Sequence, residues 1–130
     1  MTNDNFDSTI IHAYTRAEAI KDGEQVDVSA TAAEAGIRFP VFLTRNVYET
    51  YVTVPPKVVG QDEAGRLWDI VWMLRHAIKN MPSESDRIPV CLHVRNNNRS
   101  ANPVKLIATC GPLDMSDPRP AITVMMPDED

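Results

Sequence analysis

Apolar residues recur along the chain in two rhythms. Between about Glu63 and Asn80, Leu67, Ile70, Val71, Leu74, Ala77 and Ile78 return at steps of three and four, the spacing of one stripe on an α-helix. Trp68 and Trp72 flank that stripe one turn apart, and Gly65 adds a mild cost to the first turn. In the last third the rhythm changes to alternation. Ile88, Val90, Leu92 and Val94 form one strand, Val104 to Cys110 a second and Ala121 to Met126 a third. Asn96–Ser100 reads as a polar turn, and Gly111-Pro112 opens a long polar connection. Successive strands with such connections predict an antiparallel meander that the long helix can cover.

The first half is made of shorter pieces. Ile10–Tyr14 predicts a strand, and Thr15-Arg16-Ala17-Glu18 spells a capping box ahead of a helix over about 16–21. Val26–Val28 is extended, Ser29 caps an alanine-rich helix to Ala35, and Ile37–Leu43 is extended around Pro40, which argues for an edge strand. Thr44 caps a third helix to about Val52. The element order predicts an α+β class: a three- to four-stranded, mainly antiparallel sheet against one long helix, with short N-terminal helices. Leu67, Val71, Leu74 and Ile78 are expected to be its buried centre.

With 130 residues this is a single domain, with residues 1–9 and 128–130 expected as mobile ends that add little packing. The net charge of −5 argues against direct duplex DNA binding, and no apolar run is long enough to span a membrane. Charge is unevenly placed. Residues 1–34 carry seven acids against two bases, residues 66–105 seven bases against three acids, and residues 106–130 five acids against one base. Acidic ends suit a basic partner. The polar N-terminus is no signal peptide, so Cys91 and Cys110 are expected as reduced, buried thiols of a cytoplasmic protein. Pairing Val90 and Leu92 with Leu106 and Ala108 requires an even sum of residue numbers, which sets the two cysteines on opposite faces and forbids a bond between them.

The segments Tyr14–Gly23, Val26–Ser29, Glu34–Val41, Asp62–Met73, Cys110–Pro112 and Ile122–Pro127 together resemble a family of small bacterial proteins of unknown function, encoded on plasmids and other mobile elements. The resemblance spans nearly the whole chain from about Ile11, and Asp62–Met73 is its most specific block. It brings no catalytic residues. It implies a context, the accessory genes of mobile DNA, in which small proteins often blunt restriction or CRISPR defences.

Chemical motifs are few. No phosphate-binding glycine loop occurs, and Cys91-x-His93 lacks the companions of a zinc site. No cofactor and no metal site is expected. The one cluster of polar chemistry is Asp62, Glu63, Arg66, Trp68 and Asp69. Asp62, Arg66 and Asp69 are helix neighbours, which describes either an N-cap with an ion pair on a solvated face or a recognition patch beside an aromatic anchor. With the acids Glu18, Asp22 and Glu24, these residues form the expected partner-binding set. The acidic ends and the missing catalytic motifs point to an acidic binding module, and the resemblance implies that it docks on, and inhibits, a host protein or ribonucleoprotein complex with a basic surface. A small enzyme with its site at the start of the long helix, or an accessory protein that self-associates as a homodimer, is the alternative.

Overall fold

The computed structural model describes residues 14–81 and 85–129. The strand expected over Ile10–Tyr14 falls outside them but for Tyr14, as do the ends 1–9 and Asp130. Helix α1 (Arg16–Lys21) begins at the capping box, the Thr15 hydroxyl accepting from the Glu18 amide and the Glu18 carboxylate accepting from the Thr15 amide. Gly23 closes it at φ +77°, a conformation that costs glycine nothing. Strand β1 (Gln25–Asp27), helix α2 (Ser29–Glu34) and strand β2 (Val41–Thr44) follow. Ser29 does not cap α2. Its hydroxyl accepts from the Val41 amide at 3.0 Å instead and ties α2 to β2. Thr44 caps the short α3 (Arg45–Val47), which widens into a π-helical turn over Tyr48–Val52. The long helix α4 spans Glu63–Asn80, with the Asp62 carboxylate accepting from the Gly65 amide at 2.7 Å. Gly65 is suited to that cap, since a Cβ there would lie 2.9 Å from the Asp62 oxygen.

Strands β3 (Arg87–Val94), β4 (Asn102–Asp114) and β5 (Asp117–Met125) form the expected meander. The sheet has five strands in the order β1-β2-β5-β4-β3, not three or four, and it is mixed, because β2 runs parallel to β5. Pro40 explains the misreading of β2 as an edge. It stands one residue before the strand, where its missing N–H costs nothing, and its carbonyl accepts from the Ile122 amide at 2.9 Å. The connection expected after Gly111 is instead a tight hairpin at Met115-Ser116, with Pro112 opposite Pro120. Prolines are tolerated there because β4 and β5 run beyond their neighbours as a two-stranded ribbon.

Val90 pairs with Leu106 and Ile88 with Ala108, the even register expected. The core lies between that sheet face and α2, α3 and α4, with Val41, Leu43, Val71, Leu74, Val90 and Val124 fully buried. On α4 the buried positions are Arg66, Ile70, Val71 and Leu74, whereas Leu67 and Ile78 are only half-buried at the rim. The stripe is thus rotated from the one expected, toward Arg66. On the second sheet face α1 packs through Arg16, whose guanidinium sits 4.2 Å above the Phe42 ring and donates to Gln25, Leu113 and Thr123. Cys91 and Cys110 are unbonded and both exposed, which corrects the expectation of buried thiols. Glu129 corrects the picture of a C-terminal end without packing. Its carboxylate accepts from the Thr44 hydroxyl, the Asn46 amide and the Met126 backbone.

Candidate functional site

Arg66 organises the start of α4, in a role that its sequence context does not announce. It is 6% exposed, and all five N–H donors are taken by neutral acceptors. Its Nε donates to the Tyr51 and Val52 carbonyls, Nη1 to the Gln61 side chain and the Arg95 carbonyl, and Nη2 to Asn96 Oδ1 and the Thr50 carbonyl. One planar fork thus fastens the π-helical turn, the loop before α4 and the exit of β3 to one another. Burial, with Arg95 nearby, lowers the pKa of this guanidinium, and Asp69 opposes the shift. The expected ion pair with Asp62 on a solvated face is not formed. Asp62 is the helix cap, and Glu63 accepts from the Tyr48 hydroxyl at 2.9 Å.

Beside this clamp, α4 and β3 diverge and leave a groove. One cavity of about 710 Å³ lies among Tyr51, Asp62, Arg66 and Asp69 on one side and Leu92 to Arg95 on the other. A second of about 550 Å³ continues it past Trp72 and Met73, and the two share Asp69, Leu92 and His93. Asp69 therefore stands at their junction. Although Asp69 is exposed, partial desolvation by the groove walls raises its carboxyl above the usual carboxylate range, with Arg66 acting against that shift. Since every Arg66 donor is spent elsewhere, Asp69 has no hydrogen-bond or ion-pair partner among the described residues.

The outer ridge of α4 is aromatic. Trp68 and Trp72 stack with ring centroids 5.8 Å apart, His76 meets Trp72 edge-on at 5.3 Å, and the Arg75 guanidinium lies 5.2 Å from the Trp72 ring. The tryptophans are 37% and 38% exposed. Stacking restrains both indoles while leaving each partly exposed.

The acids Glu18, Asp22 and Glu24 lie elsewhere. They flank α1 and β1, at the sheet edge opposite β3. Each has local work: Glu18 in the capping box, Asp22 accepting from the Tyr14 hydroxyl at 2.8 Å, and Glu24 paired with Arg45 at 2.9 Å. The expected set is thus two groups. Asp62, Glu63, Arg66, Trp68 and Asp69 gather at the α4 start, and the other three do not join them. Spacing could not have shown the contributions of Leu92, His93 and Arg95 from β3, because only the tertiary fold brings that strand to α4. Among the described residues no three His, Cys, Asp or Glu side chains assemble as a metal site.

The fold and groove define a small α+β domain with a surface groove along one helix. No described helix is long and apolar enough to cross a membrane. The chain belongs to the DUF6573 family, a family of unknown function, whose profile matches residues 1–130. No curated protein and no solved structure matches it.

Proposed function

We propose that the protein is a binding module whose docking face is the Trp68–Trp72 ridge of α4 with the adjoining groove. The observation that carries this reading is the stacked, solvent-facing tryptophan pair. Large rigid aromatics next to a cleft are what interface hot spots are built from, and exposing two without a partner leaves apolar surface in water. The partner is a host protein or ribonucleoprotein complex with a basic surface, and binding inhibits it. The resemblance to proteins of mobile DNA supports this target class, and a restriction or CRISPR complex is the one it favours. Glu18, Asp22 and Glu24 add long-range steering from the far sheet edge rather than contact.

The test is affinity capture from host extract with the intact protein and with a W68A/W72A variant, each captured protein being quantified. A stoichiometric basic protein held by the wild type and lost by the variant is expected. Capture that ignores the tryptophans would contradict the reading.

One feature favours a second reading, a small enzyme with its site at the start of α4. Asp69 and His93 line the same cavity, and an unpartnered carboxylate with a raised pKa is suited to proton transfer. On that reading D69N abolishes turnover of a small substrate while leaving protein capture intact.

A further inference from the structure

The free edge of β3 is closed at both ends and open in the middle. The Cys110 amide donates to the Asp86 carbonyl at 3.0 Å, which fixes the phase of the β3–β4 ladder. In an antiparallel pair the hydrogen-bonded positions alternate, so with the observed register residues 88, 90, 92 and 94 bond to β4. Residues 87, 89, 91 and 93 turn their backbone groups outward. At one end the Ser85 hydroxyl donates to the Arg87 carbonyl at 3.0 Å, and at the other Arg66 Nη1 donates to the Arg95 carbonyl at 2.8 Å. Between these stops the Cys91 and His93 N–H and C=O groups and the Pro89 carbonyl have no partner among the described residues. They border the groove described above.

We propose that this window receives an extended segment of another protein as a sixth strand, with a lysine or arginine of that segment placed against Asp69. The inference rests on the docking reading and names its mode and its partner's chemistry. The geometry is set by the pleat. A residue directly across from Leu92 shares its sheet face and points to the α4 side, where Asp69 and Trp72 stand. The groove selects a donor. Of the bases on its walls, Arg66 has every donor filled as above, Arg95 is held through both Nη atoms by the Val59 and Asn97 carbonyls and Asn98, and Lys105 lies at the far cavity on the β4 side. An unpartnered acceptor on the helix wall is the Asp69 carboxylate, which is exposed yet partly desolvated, so that its charged form gains from a cation placed against it. A second copy is a poor occupant. Pairing β3 with itself about Cys91 sets Arg87 opposite Arg95 of the other copy, and the missing Pro89 amide removes bonds near the centre.

The probe is a pair of short alternating valine–threonine peptides, one with arginine and one with glutamate at a central position. Amide hydrogen exchange of the full chain is followed by NMR. The arginine peptide should slow exchange at Cys91 and His93, leave Gln25 and Asp27 unchanged, and bind about tenfold or more tightly than the glutamate peptide. That preference should vanish in D69N, and N-methylating the peptide amide that faces the His93 carbonyl should abolish binding. Equal binding of the two peptides, or no protection at Cys91 and His93, would overturn the proposal. Concentration-dependent protection without peptide would overturn it in favour of a second copy. Capture of a host protein through Trp68 and Trp72 without protection at Cys91 and His93 would refute the strand mode alone. Failure of the docking reading shows separately, as tryptophan-independent capture.

Discussion

The two edges of the sheet are built on different plans. The β1 edge is three residues long, is followed at once by α2 and carries Asp27, whose carboxylate accepts from the Ser29 amide. Short length and a charge are the usual ways in which an edge avoids pairing. The β3 edge is eight residues long and borders a groove and a tryptophan ridge. Among the described residues its defences are Pro89 and the stops at Arg87 and Arg95. Among the described residues the β3 edge thus leaves the Cys91 and His93 backbone groups without a partner. Arginine side chains serve both plans, half-buried at Arg16 and buried at Arg66. Arg16 fastens α1 to the β4–β5 hairpin near the closed edge, and Arg66 fastens three segments at the open one.

The largest expected effect falls on the open edge. R66M removes every bond of the clamp and leaves the Val52 and Arg95 carbonyls without their donor, and it should cost about 3–5 kcal/mol in urea unfolding. R66K should recover only part of this, because an ammonium cannot span the fork. L74A lies in the core beneath both edges and should cost about 2–5 kcal/mol without distinguishing them. On the β2 side, E129Q weakens the carboxylate's bonds to Thr44, Asn46 and Met126 and should cost about 1–2 kcal/mol. A loss under about 0.5 kcal/mol would restore the expectation of a C-terminal end that adds little packing.

The smallest effect has the most informative sign. The Asp69 carboxyl pKa is raised in the folded protein, so the native state favours its neutral form. Wild type therefore loses stability as pH rises from the unfolded carboxylate value through the raised folded one, and D69N does not. D69N should equal wild type in acid and be slightly more stable above that window, as chemical melts at several pH values would show. Greater stability with lost binding is the mark of a residue kept for recognition. If D69N is instead less stable at neutral pH, Asp69 is a structural partner of Arg66 and the groove loses its selective group.

Local chemistry was readable in the sequence, and tertiary chemistry was not. The capping box at Thr15, the cap at Asp62, the span of α4 and the β3–β4 register follow from side-chain type and spacing, which act within a few residues. The parallel β2–β5 contact joins residues about 80 positions apart, and Pro40 pointed the wrong way because its position relative to the strand start could not be fixed. Arg66 is the sharpest case. Its spacing from Asp62 and Asp69 reads as a surface ion pair, yet five of its six bonds go to carbonyls and side chains of other segments. Backbone acceptors leave no trace in a sequence. The positions of Trp68 and Trp72 beside the apolar stripe were legible, but the strand that borders the groove next to them was not.

On the proposed function, the α4–β3 side holds the partner while the acids of the other edge only guide it. The direct measurement is association and dissociation rates with the captured host partner, across a salt series, for three proteins: wild type, W68A/W72A, and a variant with Glu18, Asp22 and Glu24 neutralised. W68A/W72A should dissociate about 30-fold faster or more, at every salt concentration, as loss of an interface hot spot would give. The neutralised variant should associate more slowly only at low salt and dissociate at the wild-type rate. Wild-type dissociation from W68A/W72A, together with faster dissociation of the neutralised variant at high salt, would place the contact on the other edge and contradict the account.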